Sequence, residues 1–168
     1  MGAREQKLRS DRLVFYKTDV TKLEGELDGF LELSSARSAL LIDREGHLVT
    51  KRGEVQQNSL DSISALVAGS FAATREMARL LGEEEFSTLH HQGQRDSIQV
   101  SLVGDRALFA VVFDERTNLG MVRYYALETT RRLDAVLTEV ANRPEGEGEE
   151  KLSSDFGESA TAALDRLF

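Results

Sequence analysis

Between Thr18 and Leu33 the apolar residues fall at Val20, Leu23, Leu27, Phe30 and Leu31, a three-then-four spacing that gathers them on one side of a helix. Ser38 to Ile42 is instead a near-continuous apolar run. It is followed by Asp43-Arg44-Glu45-Gly46 and an outgoing stretch from His47 to Thr50, which together read as a hairpin with a central first strand and an edge second strand. From Leu60 to Leu81 helical spacing returns, carried by Leu60, Ile63, Val67, Met77 and Leu81. Asn58 or Ser59 is the expected N-cap and Gly82 the stop.

Three further strands are predicted at Ser87 to His91, Ser97 to Val103 and Arg106 to Phe113. Ile98, Val100 and Leu102 alternate, the last strand is almost wholly apolar, and Gly104-Asp105 suits the tight turn between them. A third helix runs from about Leu119 to Asn142, with Val122, Leu133, Val136, Leu137 and Val140 inward and Pro144 after its end. The order α-β-β-α-β-β-β-α predicts an α/β (α+β) domain, a five-stranded antiparallel sheet sandwiched by helices. Its expected limits are 14–143. A basic arm at 1–13 precedes it. An acidic Gly/Glu linker at 144–152 and a short amphipathic helix at 153–168 follow, with Asp155 and Glu158 at capping-box spacing.

At 168 residues the chain has room for one cored domain with tails, and its apolar runs are too short to span a membrane. Met1-Gly2-Ala3-Arg4-Glu5-Gln6 carries neither a signal-peptide core nor a myristoylation pattern, so a cytoplasmic location is expected. Cysteine is absent, which removes disulfides, thiolate metal sites and cysteine nucleophiles together. A net charge of −8 argues against nucleic acid as main partner, because that affinity is mostly neutralisation of phosphates by Lys and Arg.

Catalytic patterns are missing. There is no P-loop to cradle phosphates and no Gly-x-Ser-x-Gly elbow. His90 and His91 are adjacent in a strand, where successive side chains point to opposite faces, so they are a poor pair of ligands for one metal ion. Glu83-Glu84-Glu85 and Asp114-Glu115 sit at element ends, where solvated carboxylates are common. Arg123 suits an ion pair or a covering role better than a finger on a transferring phosphoryl group. No catalytic residue, cofactor or metal is expected.

Several stretches, in this order and spacing, resemble the roadblock/dynein light-chain family and within it the bacterial MglB branch. They are Leu40-Leu41-Ile42-Asp43-Arg44-Glu45-Gly46-His47-Leu48, Leu66-Val67-Ala68-Gly69-Ser70-Phe71-Ala72-Ala73-Thr74, Leu80-Leu81-Gly82-Glu83, His91-Gln92-Gly93, and Val112-Phe113-Asp114 followed by Thr117-Asn118-Leu119-Gly120-Met121-Val122-Arg123. The resemblance implies a roadblock-like fold and a homodimer whose sheets join edge to edge. It also implies activation of a small Ras-like GTPase of the MglA type, two copies of this chain per GTPase, by ordering the partner's own catalytic residues. The setting would be bacterial polarity or motility, with concentration at a cell pole.

On the second helix, Ala65, Ala68 and Ala72 with Ser64 and Gly69 form a small-residue stripe that would let a partner approach closely. Arg75, Glu76 and Arg79 extend it, and Glu76 departs from the smaller residues that MglB-like proteins can carry there. Phe156, Ala160, Leu164, Leu167 and Phe168 fall on one side of the C-terminal segment and are expected to supply a second partner contact. Packing in the dimer seam is the alternative use of the stripe, and docking on the chain's own dimer is the alternative for the tail. A roadblock scaffold subunit without effect on nucleotide chemistry, and a small-molecule-sensing α/β module, are the alternative functions.

Overall fold

The computed structural model describes residues 13–55 and 57–144. Within them run α1 (Lys17–Ser34), β1 (Ser38–Asp43), β2 (Leu48–Gly53), a 3-10 turn at Gln57–Ser59, α2 (Leu60–Leu80), β3 (Thr88–Gln92), β4 (Ser97–Val103), β5 (Ala107–Phe113) and α3 (Leu119–Asn142). This is the predicted order. The arm expected at 1–13 lies outside the described residues except for Leu13, which packs on the core. The linker and the C-terminal segment with Phe156, Ala160, Leu164, Leu167 and Phe168 also lie outside them.

The five strands form one antiparallel sheet in the order β2-β1-β5-β4-β3. β1 and β5 read as unbroken apolar runs because helices cover both faces of the sheet there. Ala39, Leu41, Phe109, Val111 and Phe113 pack with α1 and α3, whereas Leu40, Ile42, Leu108 and Ala110 pack with α2. Phe30 of α1 meets Phe109 edge to face at 5.0 Å between ring centroids, near the middle of the first of these cores.

α1 and α3 are antiparallel and held at one end by Arg143, which follows α3. Its guanidinium donates to both carboxylate oxygens of Asp19 and lies 4.4 Å over the Tyr16 ring. Asp19 Oδ2 also accepts from the backbone N–H of Tyr16, so one carboxylate satisfies a free donor at the start of α1 and fixes the far end of α3.

Among the described residues α2 is the one helix across the other face. It opens at Ser59 without the side-chain cap that the sequence suggested, the entry being made by the preceding 3-10 turn. Gly46, in the β1–β2 turn, sets its height. At φ +97° a Cβ there would come 3.1 Å from the Ala65 Cα, so the turn and the helix backbone touch with no side chain between them.

The two edges of the sheet differ. On β2, Thr50 donates to Glu24 and Arg52 to both oxygens of Asp28, which ties that edge to α1. On β3 the carbonyl of Ser87 accepts from the Leu102 N–H, so the odd-numbered residues bond to β4 and Thr88, His90 and Gln92 turn their backbone groups outward. No Lys, Pro or acid guards that row.

Candidate functional site

The outward face of α2 is built by a helix with more apolar residues than one buried stripe can hold. Leu60, Ser64, Val67, Ala68, Phe71, Thr74 and Ala78 are buried against the sheet. Met77 and Leu81, which helical spacing grouped with Leu60 and Val67, are exposed instead, and Phe71, Thr74 and Ala78 take their place inside.

The predicted small-residue stripe is therefore divided between two surfaces. Ser64 and Ala68 face inward. The Ser64 hydroxyl donates to the Leu60 carbonyl at 2.8 Å, which satisfies it without a partner from outside the helix. Ala65, Gly69 and Ala72 are exposed and form, with Ala73, a shallow track along the solvent side of the helix. Leu66, Met77 and Leu80 border that track on one side, at 69%, 52% and 82% exposure. Arg75 and Arg79 lie on the other side, and Glu76, one turn beyond Ala72, continues the line of the track itself. Arg79 pairs with Glu76 at 2.8 Å and Arg75 lies 3.6 Å from Glu85.

Gly69 is the informative member. A Cβ added there would meet nothing within 4 Å, so no contact among the described residues requires glycine. Glycine inside a helix costs roughly 1 kcal/mol relative to alanine, and only an approach from outside gains from the missing side chain. Helical spacing brought Ala65, Gly69 and Ala72 together, and the three are exposed side by side. It missed Leu66, Ala73, Met77 and Leu80, whose outward direction depends on how the helix is rolled on the sheet.

The remaining candidates from the sequence lie elsewhere. The His90 ring stacks with Phe113 at 6.0 Å between centroids, while His91 on the opposite face is exposed, so the two do not converge. Arg123 is exposed early in α3. Asp114 accepts from Arg116, whose guanidinium holds the carboxyl below its usual range, so this acid is engaged in a surface pair. Arg44 bridges Glu85 and the Asp105 carbonyl, at the rim of a cavity of about 570 Å³ with both charged and apolar walls.

One arrangement was not foreseen. Asp43, Glu45 and His47 place three metal-ligand atoms within 4.8 Å of one another in the β1–β2 turn. The Asp43 carboxylate is already used there. Oδ1 accepts from the backbone N–H groups of Glu45 and His47, and Oδ2 lies 3.2 Å from His47 Nδ1, so the geometry is that of a self-satisfied turn. No described helix is long and apolar enough to cross a membrane.

Comparison with known proteins gives this arrangement a family. The Roadblock/LC7 domain model matches residues 23–113, more than half of the chain, from α1 through β5. The chain belongs to the Roadblock/LC7 family. Among solved structures it is similar to the gliding protein mglB of Thermus thermophilus, at 35% identity and a TM-score of 0.71 over 76% of this chain and 96% of that one. It is similar to MglB of Myxococcus xanthus at 32% identity and a TM-score of 0.72, over 79% of this chain and 100% of that one. An MglB with tetrameric arrangement matches at 34% identity and a TM-score of 0.72, covering 76% of this chain and 96% of that one. No curated protein sequence matches. The roadblock fold expected from the order of elements is thus the observed one, and its MglB-like character rests on three structures above 30% identity.

Proposed function

We propose that this Roadblock/LC7 chain acts as a homodimer that binds a small Ras-like GTPase of the MglA type and accelerates its hydrolysis by ordering the partner's switch regions. The setting is bacterial polarity or motility. The observation that carries this reading is the outward face of α2, an exposed small-residue track with an open glycine and an apolar border. Such a face is suited to close packing against another element. The similarity to MglB proteins supplies the class of partner, and the unguarded β3 edge supplies a route to the dimer.

The mechanism asks no chemistry of this chain. A GTPase whose water-positioning residue is mobile gains rate when contact holds that residue in place, so the activator contributes surface and not a reacting group. Arg75 and Arg79, at the border of the track, and Glu76, in line with it, adjust partner choice and association rate more than affinity. The segment with Phe156, Ala160, Leu164, Leu167 and Phe168 adds a second contact.

Phosphate release by a purified MglA-type GTPase tests this. Added full-length chain should raise turnover severalfold or more, and Ala72→Arg should weaken the effect a hundredfold, about 3 kcal/mol, while leaving the protein folded. Ala68→Arg, which places the charge inside, should lose the folded protein itself. Binding without a change in turnover would favour a scaffold subunit. Undiminished activity in a folded, dimeric Ala72→Arg variant would remove α2 from the contact.

A further inference from the structure

The sheet face beneath α1 and α3 turns polar toward β3. Gln99 of β4 lies beside Val111 of β5, which belongs to the core under those helices, and His90 of β3 lies beside Gln99. Paired residues share a face, so Ser97 and Ser101 on β4 and Thr88 and Gln92 on β3 stand on it as well. Gln99 is fully buried with neither amide atom bonded, and beside it the Nδ1 of the half-buried His90 is buried and unbonded among the described residues. Buried polar atoms without partners are costly, so this row is the least settled part of the sheet.

Charge around His90 is of one sign. β3 and β4 contain no Asp or Glu, and in the turn between them Asp96 is held by Arg37 while Arg95 adds a further cation. Phe113 of β5 stacks on the His90 ring, His91 points to the opposite face, and α1 lies over β1 and β2, away from this row. α3 contributes Arg123. That helix starts just after β5 and runs parallel to β4, and a Cβ on Gly104 would meet the Asp134 carboxylate. Arg123, three turns before Asp134 on the same flank, lies about 16 Å back along the helix, and Gln99 lies about 16 Å back from Gly104 along β4, so the two are level. Arg123 is exposed and pairs with no acid among the described residues.

Thr88, His90 and Gln92 direct their backbone groups outward, and pairing this strand antiparallel with its own copy satisfies all three when His90 is central and Thr88 stands opposite Gln92. We infer that two copies join in this register, with His90 opposite the partner subunit's His90, and that the seam opens as the two imidazoles gain protons. The inference rests on the homodimer proposed above. Residues paired in this way have Cα atoms about 5.5 Å apart. In the separate chain, water reaches the half-buried His90 ring and can solvate a charge on it. In the seam the ring is covered, and the nearest charges are the second imidazole and the two copies of Arg123. Protons therefore bind the separated chains more readily than the pair, so the dissociation constant rises as pH falls through the range in which imidazoles charge, about pH 8 to 5.

Sedimentation velocity of the full-length chain tests this. Its dimer dissociation constant should be roughly tenfold or more higher near pH 5.5 than near pH 7.5. His90→Gln should flatten that response, and His91→Gln, on the other face, should keep it. A dimer equally tight at both pH values, or a response that survives in His90→Gln, would overturn the inference and leave the homodimer standing. A chain that is monomeric near pH 7.5 at every concentration would remove both. The register has its own readout, because the chain contains no cysteine. Under mild oxidation His90→Cys should give a disulfide-linked dimer, whereas Thr88→Cys, whose two copies lie about 14 Å apart in this register, should not. Failure of His90→Cys to link, or equal linking through Thr88→Cys, would rule out a seam centred on His90.

Discussion

Arg143 Nη2 lies 2.7 Å from Asp19 Oδ1 and Arg143 Nη1 3.0 Å from Asp19 Oδ2, a two-pronged pair that closes the start of α1 onto the end of α3 across 124 residues of sequence. Asp19 is nearly fully buried, and the same carboxylate accepts from the Tyr16 N–H. The hydrogen bonds from Arg143 hold the Asp19 carboxyl below its ordinary pKa against the opposing effect of burial. Because the folded value is depressed, this group contributes stability above the unfolded carboxylate value of about 3.9, and the contribution shrinks as pH falls through that value toward the folded one. Asp19→Asn should lower stability at pH 7 by about 2 kcal/mol and flatten the acid side of the curve, read from urea midpoints between pH 3 and 7. An unchanged pH dependence would mean that the pair is not coupled to folding.

Gly46 is required by both backbone and space. Its φ of +97° is disfavoured for any side chain, and a Cβ would approach the Ala65 backbone to 3.1 Å. Gly46→Ala should cost roughly 2–4 kcal/mol and displace the first turns of α2. Urea denaturation measures the loss, and a variant as stable as the parent would show that the turn can move away from the helix.

Gly69 should behave in the opposite way. With open space where its Cβ would be, Gly69→Ala should stabilise the isolated protein by about 0.5–1 kcal/mol. If a partner packs on this track, the same methyl should weaken GTPase binding, so stability rises while affinity falls. Thermal unfolding and titration calorimetry on one preparation separate the two, and equal affinities would argue that the track is not closely packed in the complex.

Thr88 is exposed on the edge strand with its N–H directed away from β4. If the proposed homodimer joins through this edge, Thr88→Pro, which removes an outward donor without breaking a bond to β4, should leave the circular dichroism spectrum in place while halving the mass measured by light scattering. A dimeric mass in the variant would assign the proposed dimer to another surface.

The order of elements, the central position of β1 and the division of the described residues into three helices and five strands were legible in the apolar pattern. Helical and extended backbones impose repeats of 3.6 and 2 residues on whatever side of them is buried, and that repeat is written locally. The patterns that resemble the family, from the Asp43–Gly46 turn to the Asn118–Arg123 helix start, are local in the same sense. Asn118 does cap α3, accepting from the Met121 N–H at 3.0 Å.

What periodicity could not supply was the roll of α2. Its sequence offers apolar residues around most of the helix, so spacing alone allowed Met77 and Leu81 inside and an outward Ala68. Contact with the sheet chose Phe71, Thr74 and Ala78 instead and turned Leu66, Ala73, Met77 and Leu80 to the surface. The Asp19–Arg143 pair was equally invisible, because nothing in the neighbourhood of either residue names the other. Sequence determined the elements, since each is a property of a short stretch of backbone. Tertiary packing decided which faces were left uncovered, since that depends on the surface each helix meets.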